Sequence, residues 1–281
     1  MSTTEPHLSL VVPVYNGEAY IEANLRRILD TLERLGRPFE MVVVCDGSRD
    51  RTREIAAHVD HPAVRLFHYP RNQGKGFALS LGAGQTRGRL IGWLDADLDI
   101  HPDVLVDAVA RFDAEPVDAV IGSKRHPDSA IDYPRIRRVY SWGFQTLVRG
   151  LFRFNVRDTQ VGAKVFRREM LDTVLPLLLI KRYAYDLEVL AVGAGFGFDR
   201  IVEVPIRLEH GSFGTSIDWP AVRRMFTDTL AIAYRIHFRH WYVRQFAAQQ
   251  RERVDAGPVS ERTTAGSPER ATPLEPMVEP R

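Results

Sequence analysis

Three aspartates, Asp95, Asp97 and Asp99, alternate with other residues directly after the apolar run Leu90 to Leu94. Carboxylates this close repel one another unless a cation lies between them, and oxygen ligands of this kind suit Mg2+ or Mn2+ completed by diphosphate oxygens. A D-x-D pattern alone also reads as an acidic turn capping the next helix. A second acidic turn, Asp46-Gly47-Ser48 with Asp50, follows another apolar run. Its glycine lets the backbone turn tightly, Asp46 can accept from a base or ribose donor, and Ser48 or Asp50 can cap a helix. Asn72-Gln73-Gly74-Lys75-Gly76 offers flexible backbone, a cation and a helix start, which suit a phosphate or a sugar hydroxyl. Taken singly, the second and third motifs are equally compatible with ordinary loops.

The elements that must position these groups alternate in type. Leu8 to Val14 and Met41 to Cys45 are apolar runs that read as buried strands, the first on both faces, and Val64 to Tyr69 and Leu90 to Leu94 read as two further strands. Between them Ile21, Leu25, Ile28, Leu29 and Leu32 recur at helical spacing, and helices are expected over Asp50 to His58 and from the glycine-rich turn to Thr86. Strands and helices alternating in short units predict a mostly parallel sheet covered on both faces, an α/β nucleotide-binding architecture. In such a sheet ligands bind beyond the carboxyl ends of the strands, where the acidic turns lie.

The second half is less regular. A helix is expected over Asp103 to Phe112, then strands near Ala119 to Gly122, Ala163 to Phe166 and Ile201 to Ile206, with a basic, aromatic stretch over Lys124 to Arg157. From Trp219 to Phe246 apolar residues recur at helical spacing among Arg223, Arg224, Arg235, Arg239 and Arg244. That pattern is a basic amphipathic helix or helix pair, suited to a membrane surface or to the domain's own core. From Ala247 the chain is rich in Pro, Glu, Arg, Ser and Thr and is expected to be disordered. The expected organisation is a flexible start over 1–6, one catalytic domain over 7–217, the amphipathic segment over 218–246 and a tail over 247–281.

Thirty-eight basic residues against thirty-six acidic ones leave a formal charge of +2, which argues against nucleic acid as a partner by bulk electrostatics. One cysteine, Cys45, excludes an internal disulfide and fits a reducing compartment. The first residues carry no secretory pattern, and no stretch approaches the roughly 18 to 20 apolar residues that crossing a bilayer needs. The expected location is the cytoplasmic face of a membrane, in peripheral contact.

Four motifs in order, VVPVYNGE (Val11 to Glu18), CDGSRDRT (Cys45 to Thr52), RNQGKGFAL (Arg71 to Leu79) and WLDADLDIHP (Trp93 to Pro102), resemble the inverting family 2 glycosyltransferases with the GT-A fold. Within that family RDTQVGAKVFRRE (Arg157 to Glu169), KRYAYDLEVL (Lys181 to Leu190) and VEVPIRLEHGSFGTSI (Val202 to Ile217) resemble the dolichyl- and polyprenyl-phosphate glucosyl- and mannosyltransferases. The resemblance implies a nucleotide-diphospho-sugar donor and a polyprenyl or dolichyl phosphate acceptor. It assigns the nucleoside to Pro13, Tyr15, Glu18 and Asp46 and donor binding also to Lys75. Asp95, Asp97 and Asp99 become the metal and diphosphate site, and Asp158, Gln160 and Lys164 the sugar and acceptor side. The family often has two successive aspartates where this chain has Cys45-Asp46, so the nucleoside role passes to Asp46 alone.

A hydroxyl acceptor needs a base, for which Asp186 and Glu188 are the candidates; a pair on a helix surface is the competing reading. A phosphate acceptor is already ionised, with a second pKa near 6, and needs cations instead, which Arg125, Arg135, Arg137, Arg138 and Lys164 can supply. The alternatives carried forward are transfer to a hydroxyl of a soluble or cell-wall glycan with Asp186 as base, and a non-catalytic nucleotide-sugar sensor. His210 and His237 are read as structural or surface histidines.

Overall fold

The computed structural model describes residues 5–129, 135–152, 156–182, 184–209 and 219–255, without side chains at 135–142 and 253–255. Residues 1–4 of the expected flexible start 1–6, the basic Arg135, Arg137 and Arg138 side chains, His210, the boundary at 217 and residues 256–281 of the expected tail 247–281 lie outside what is described.

Seven strands form one sheet among the described residues: β1 (Leu8–Val14), β2 (Phe39–Asp46), β3 (Val64–Tyr69), β4 (Leu90–Leu94), β5 (Ala119–Ser123), β6 (Ala163–Arg167) and β7 (Ile201–Pro205). Their order is β3-β2-β1-β4-β6-β5-β7. All neighbours are parallel except β6, which runs antiparallel between β4 and β5. The expected mostly parallel sheet is therefore correct, with one reversed strand that local pattern does not disclose.

Residue alternation along the central strands divides the core in two. Leu10, Val12, Met41 and Val43 face one cluster, with Ile21, Leu25 and Ile28 of helix α1 (Ile21–Arg34) and Val104 and Leu105 of α4 (Val104–Ala114); α2 is Thr52–Ala57. Val11, Val42 and Val44 face the other, with Ala78 and Leu79 of α3 (Lys75–Gly84). The second cluster also receives α5 (Arg135–Phe152) through Val148, α6 (Arg168–Val174) and α7 (Tyr185–Gly195). Successive strand side chains point to opposite faces, so a run of Val and Leu serves both clusters, each fully buried Leu contributing about 1.5 to 3 kcal/mol.

The amphipathic segment is a pair, α8 (Trp219–His237) and α9 (Trp241–Asp255). Ile232 and Tyr242 are buried in the second cluster, whereas Trp219, Phe226, Leu230, Tyr234 and Phe238 stay exposed. The pair thus docks on the core by one face and leaves an apolar stripe on the other. Because α9 is helical to Asp255, the structured chain extends past the expected limit at 246.

Candidate active site

β1, β2 and β4 end on the same edge of the sheet, and the antiparallel β6 begins there. A cavity of about 580 Å³ opens on that edge. Its walls come from Pro13, Val14 and Tyr15 after β1, Asp46 at the end of β2, and Asp95, Ala96 and Asp97 after β4. Tyr20, Asn72, Gly74, Lys75, Gln160, Arg182 and Asp186 close it. Hollows of 780 and 840 Å³ lie elsewhere on mixed-charge surface and touch none of these carboxylates.

The turns holding the cavity are laced together. Asn16 donates its backbone N–H to Ser48 Oγ at 3.1 Å and accepts from Arg49 N–H at 2.9 Å, while Gly17 N–H donates to Thr52 Oγ1 at 2.7 Å. Glu18 accepts from Arg51 N–H at 2.9 Å and is absent from the cavity wall, so it serves the turn. Asp46, 3% exposed, accepts Asn72 Nδ2 at 3.0 Å, Gln73 N–H at 2.7 Å and Gly74 N–H at 3.0 Å. Its carboxylate therefore shapes the 72–74 loop as well as bordering the cavity. Gly74 has φ +100°, and a Cβ there would stand 2.6 Å from the Lys181 carbonyl, so only glycine fits between the two loops.

Lys75, first residue of α3, reaches Asp95 at 2.6 and 2.8 Å. Burial opposes its charge, but Asp95, then Asp186 and Asp97, outweigh it and hold the ammonium above the usual lysine range. Burial and the neighbouring Asp95 and Asp99 push the Asp97 carboxyl above its ordinary value. Burial, with Asp97 and Asp50, likewise keeps the Tyr20 hydroxyl protonated beyond the usual phenol range. Asp95 and Asp97 offer the carboxylate oxygens that a hard divalent cation takes alongside phosphate oxygens and water, and the ammonium of Lys75 is bonded to Asp95.

The expected set of three acids is not gathered. Asp99 is exposed and does not line the cavity; its N–H donates to Asp97 Oδ1 at 3.3 Å and its carbonyl accepts Glu209 N–H. Leu98, at φ +53°, turns the chain between them. Among the described residues no group of three His, Cys, Asp or Glu side chains is arranged to hold a metal.

Asp186 and Glu188 are not a helix-surface pair: they are 6% and 0% exposed. Asp186 faces the cavity and accepts Lys164 Nζ at 2.7 Å. Lys164, 1% exposed, stands behind Asp186 and not in the wall; burial presses its ammonium below the usual lysine range against the pull of Asp186. Glu188 does not line the cavity. Gln160 does, and its Nε2 is buried without a hydrogen-bond partner among the described residues. Asp158, half-buried with its carboxyl raised by burial, accepts Lys124 and Gln160 N–H groups. Neither Asp158 nor Arg125 lines the cavity, and the Arg138 side chain is not described.

Tyr20 and Arg182 also line the cavity, and no local pattern marks either as a site residue. Arg182 sits beside Lys181 within the stretch Lys181 to Leu190, and the contact of that segment with Gly74 brings it to the site.

Residues 9–175 match the family described as Glycosyl transferase family 2. A dolichyl-phosphate β-glucosyltransferase of Trichomonas vaginalis is 30% identical over 262 residues, covering 88% of this chain and 76% of that one. The human dolichyl-phosphate β-glucosyltransferase is 29% identical over 254 residues, covering 85% and 78%. Among solved structures, glucosyl-3-phosphoglycerate synthase from Mycobacterium tuberculosis in complex with Mn2+, uridine diphosphate and glucosyl-3-phosphoglycerate is similar with a TM-score of 0.60 at 20% identity. That match covers 82% of this chain and 79% of the other. It is a likeness of fold.

Proposed function

The chain belongs to glycosyl transferase family 2 and is a glycosyltransferase of the GT-A fold, and from that premise we propose that it moves a hexose from a nucleotide diphosphate to a polyprenyl phosphate at a membrane surface. The observation that carries the donor half is the single cavity in which Asp95, Asp97, Lys75 and Arg182 meet at the carboxyl ends of β1, β2 and β4. The names of the two relatives above support glucose as the sugar and a dolichyl-type phosphate as acceptor. Uridine diphosphate bound in the mycobacterial synthase favours a uridine nucleotide as the donor's carrier here.

Asp95 and Asp97 would hold a Mg2+ or Mn2+ ion, which when bound neutralises charge developing on the departing diphosphate. Lys75 and Arg182 bring fixed positive charge to the same end of the cavity, where it stabilises the leaving group without reorganisation. Gln160 Nε2 is a donor ready for a sugar hydroxyl or phosphate oxygen. A phosphate acceptor arrives ionised, so Asp186 can remain bound to Lys164 throughout the reaction. Attack from the face opposite the leaving group inverts the anomeric centre.

Membrane contact is assigned to α8. Trp219, Phe226, Leu230, Tyr234 and Phe238 are 42 to 76% exposed and Arg223, Arg224 and Arg239 are exposed nearby. Such a helix suits an anionic interface, each cation adding about 1 kcal/mol. Among the described residues no helix is long and apolar enough to cross a membrane.

The test offers the purified protein labelled UDP-glucose and GDP-mannose with polyprenyl phosphate and Mg2+ or Mn2+. Label from UDP-glucose is expected in the lipid extract. Transfer to a soluble glycan instead, abolished by Asp186→Asn, would establish the hydroxyl-acceptor reading in its place.

A further inference from the structure

Among the described residues Glu188 is the most completely enclosed acid, and it lies outside the cavity wall. Its Oε2 accepts the backbone N–H groups of Leu179 at 3.0 Å and Ile180 at 2.8 Å. Its Oε1 accepts the Tyr242 hydroxyl of α9 at 2.6 Å and lies 3.6 Å from the Arg235 guanidinium of α8. One carboxylate thus joins α7, both C-terminal helices and the 179–182 segment.

That segment is the seat of the glycine-rich turn. The Lys181 carbonyl accepts Gly76 N–H at 3.0 Å, and Lys181 O and the Arg182 side chain are packed against Gly74. Arg182 and Lys75 then enter the cavity. A buried carboxylate is costly to desolvate, and an apolar side chain of similar size would serve packing at least as well. What an apolar replacement cannot do is fix two successive N–H groups, and with them the two carbonyls and side chains that follow.

We propose that Glu188 is a positioning residue that makes the α8–α9 pair part of the donor site: through Leu179 and Ile180 it sets Lys181 against the Gly74–Gly76 turn and so places Lys75 and Arg182 at the diphosphate. The consequence for ligand rests on the reading that this cavity takes a nucleoside diphosphate; the mechanical link does not. Seating of α8 and α9 against the core then tunes donor affinity from outside the cavity.

The experiment compares Glu188→Leu, Glu188→Gln and Tyr242→Phe with the wild-type chain, each well below its own unfolding temperature. Hydrogen exchange is followed over residues 74–78 and 179–182, together with UDP affinity and the split between donor KM and kcat. Glu188→Leu should speed exchange at Gly76 while β1 and β2 amides stay protected. It should weaken UDP binding by about 5- to 10-fold, a coupling of ordinary size, and raise donor KM more than it lowers kcat. Glu188→Gln, whose amide carbonyl can still accept both N–H groups, should recover most of the affinity, and Tyr242→Phe should fall between. Unchanged exchange at Gly76 in Glu188→Leu overturns the link. So does UDP affinity equal to wild type in a variant that has lost only global stability. Faster Gly76 exchange in a protein whose wild-type form binds no UDP would sustain the link and refute the donor reading alone.

Discussion

Gly162 lies immediately before β6, whose first residue Ala163 pairs with Leu94, so the backbone at 162 passes beside Asp95. A Cβ added there would stand 2.6 Å from Asp95 Cγ and nearer still to Oδ2. Ordinary contact begins at 3.4 Å, so the carboxyl carbon must retreat by about 0.8 Å and its oxygen by more. Asp95 is partly exposed, with a side-chain accessibility of 35%, and can yield, so Gly162→Ala should cost only about 1 kcal/mol of stability. The retreat pulls Asp95 from Lys75 and from any cation shared with Asp97. Misplacement on the order of 1 Å at a reacting centre costs roughly 100-fold in rate, near 2.7 kcal/mol. The expected result is kcat/KM lowered by about 100-fold in the labelled-sugar transfer assay, with unfolding nearly unchanged by circular dichroism. Gly84→Ala is the control, since nothing lies within 4 Å of its added carbon. Activity of Gly162→Ala within threefold of wild type, under metal-replete conditions, would refute the assignment of Asp95 to the reacting centre.

Other consequences can be measured. Lys164→Met leaves Asp186 buried without its partner and should cost about 3 to 5 kcal/mol, whereas Lys164→Met combined with Asp186→Leu should restore most of the stability in chemical denaturation; a double variant no more stable than the single would contradict the ion-pair account. Chelation by EDTA, or Asp97→Ala, should abolish transfer while leaving the far-ultraviolet spectrum intact; wild-type turnover in either case removes the metal from the reading. Glu40 is a case for pH. Burial raises its carboxyl, but hydrogen bonds from Ser9, Arg87 N–H and Arg65 prevail and hold it below the usual range. A depressed folded pKa stabilises above the unfolded value and the benefit disappears as pH falls through the folded one. The stability gap between wild type and Glu40→Gln should therefore close on acidification below the ordinary glutamate range, and a gap that widens there would reverse the sign. Serine at Phe226, Leu230 and Phe238 together should release the protein from anionic liposomes without unfolding it, because these side chains are exposed; unchanged co-sedimentation would place the membrane contact elsewhere.

The four N-terminal strands and the acidic turns behind them were legible in the chain because both are local. Leu8 to Val14 is apolar apart from Ser9 and Leu90 to Leu94 holds no polar side chain, and a strand buried on both faces needs little more than that. Carboxyl-end placement of Asp46 and Asp95 then follows from the parallel sheet. The family was legible for the same reason, since its motifs are short and ordered. What tertiary structure alone decided was direction and partnership. Nothing in Ala163–Arg167 says that it runs against its neighbours, yet that reversal brings Gly162 and Gln160 to the site. Asp186 and Glu188 look alike in sequence, two residues apart on one helix. Contacts with Lys164, a strand away, and with Tyr242, 54 residues along the chain, assign one to the cavity wall and the other to a buried joint. Local pattern reports which face of an element is apolar; which distant group meets each polar atom is settled only when the elements pack.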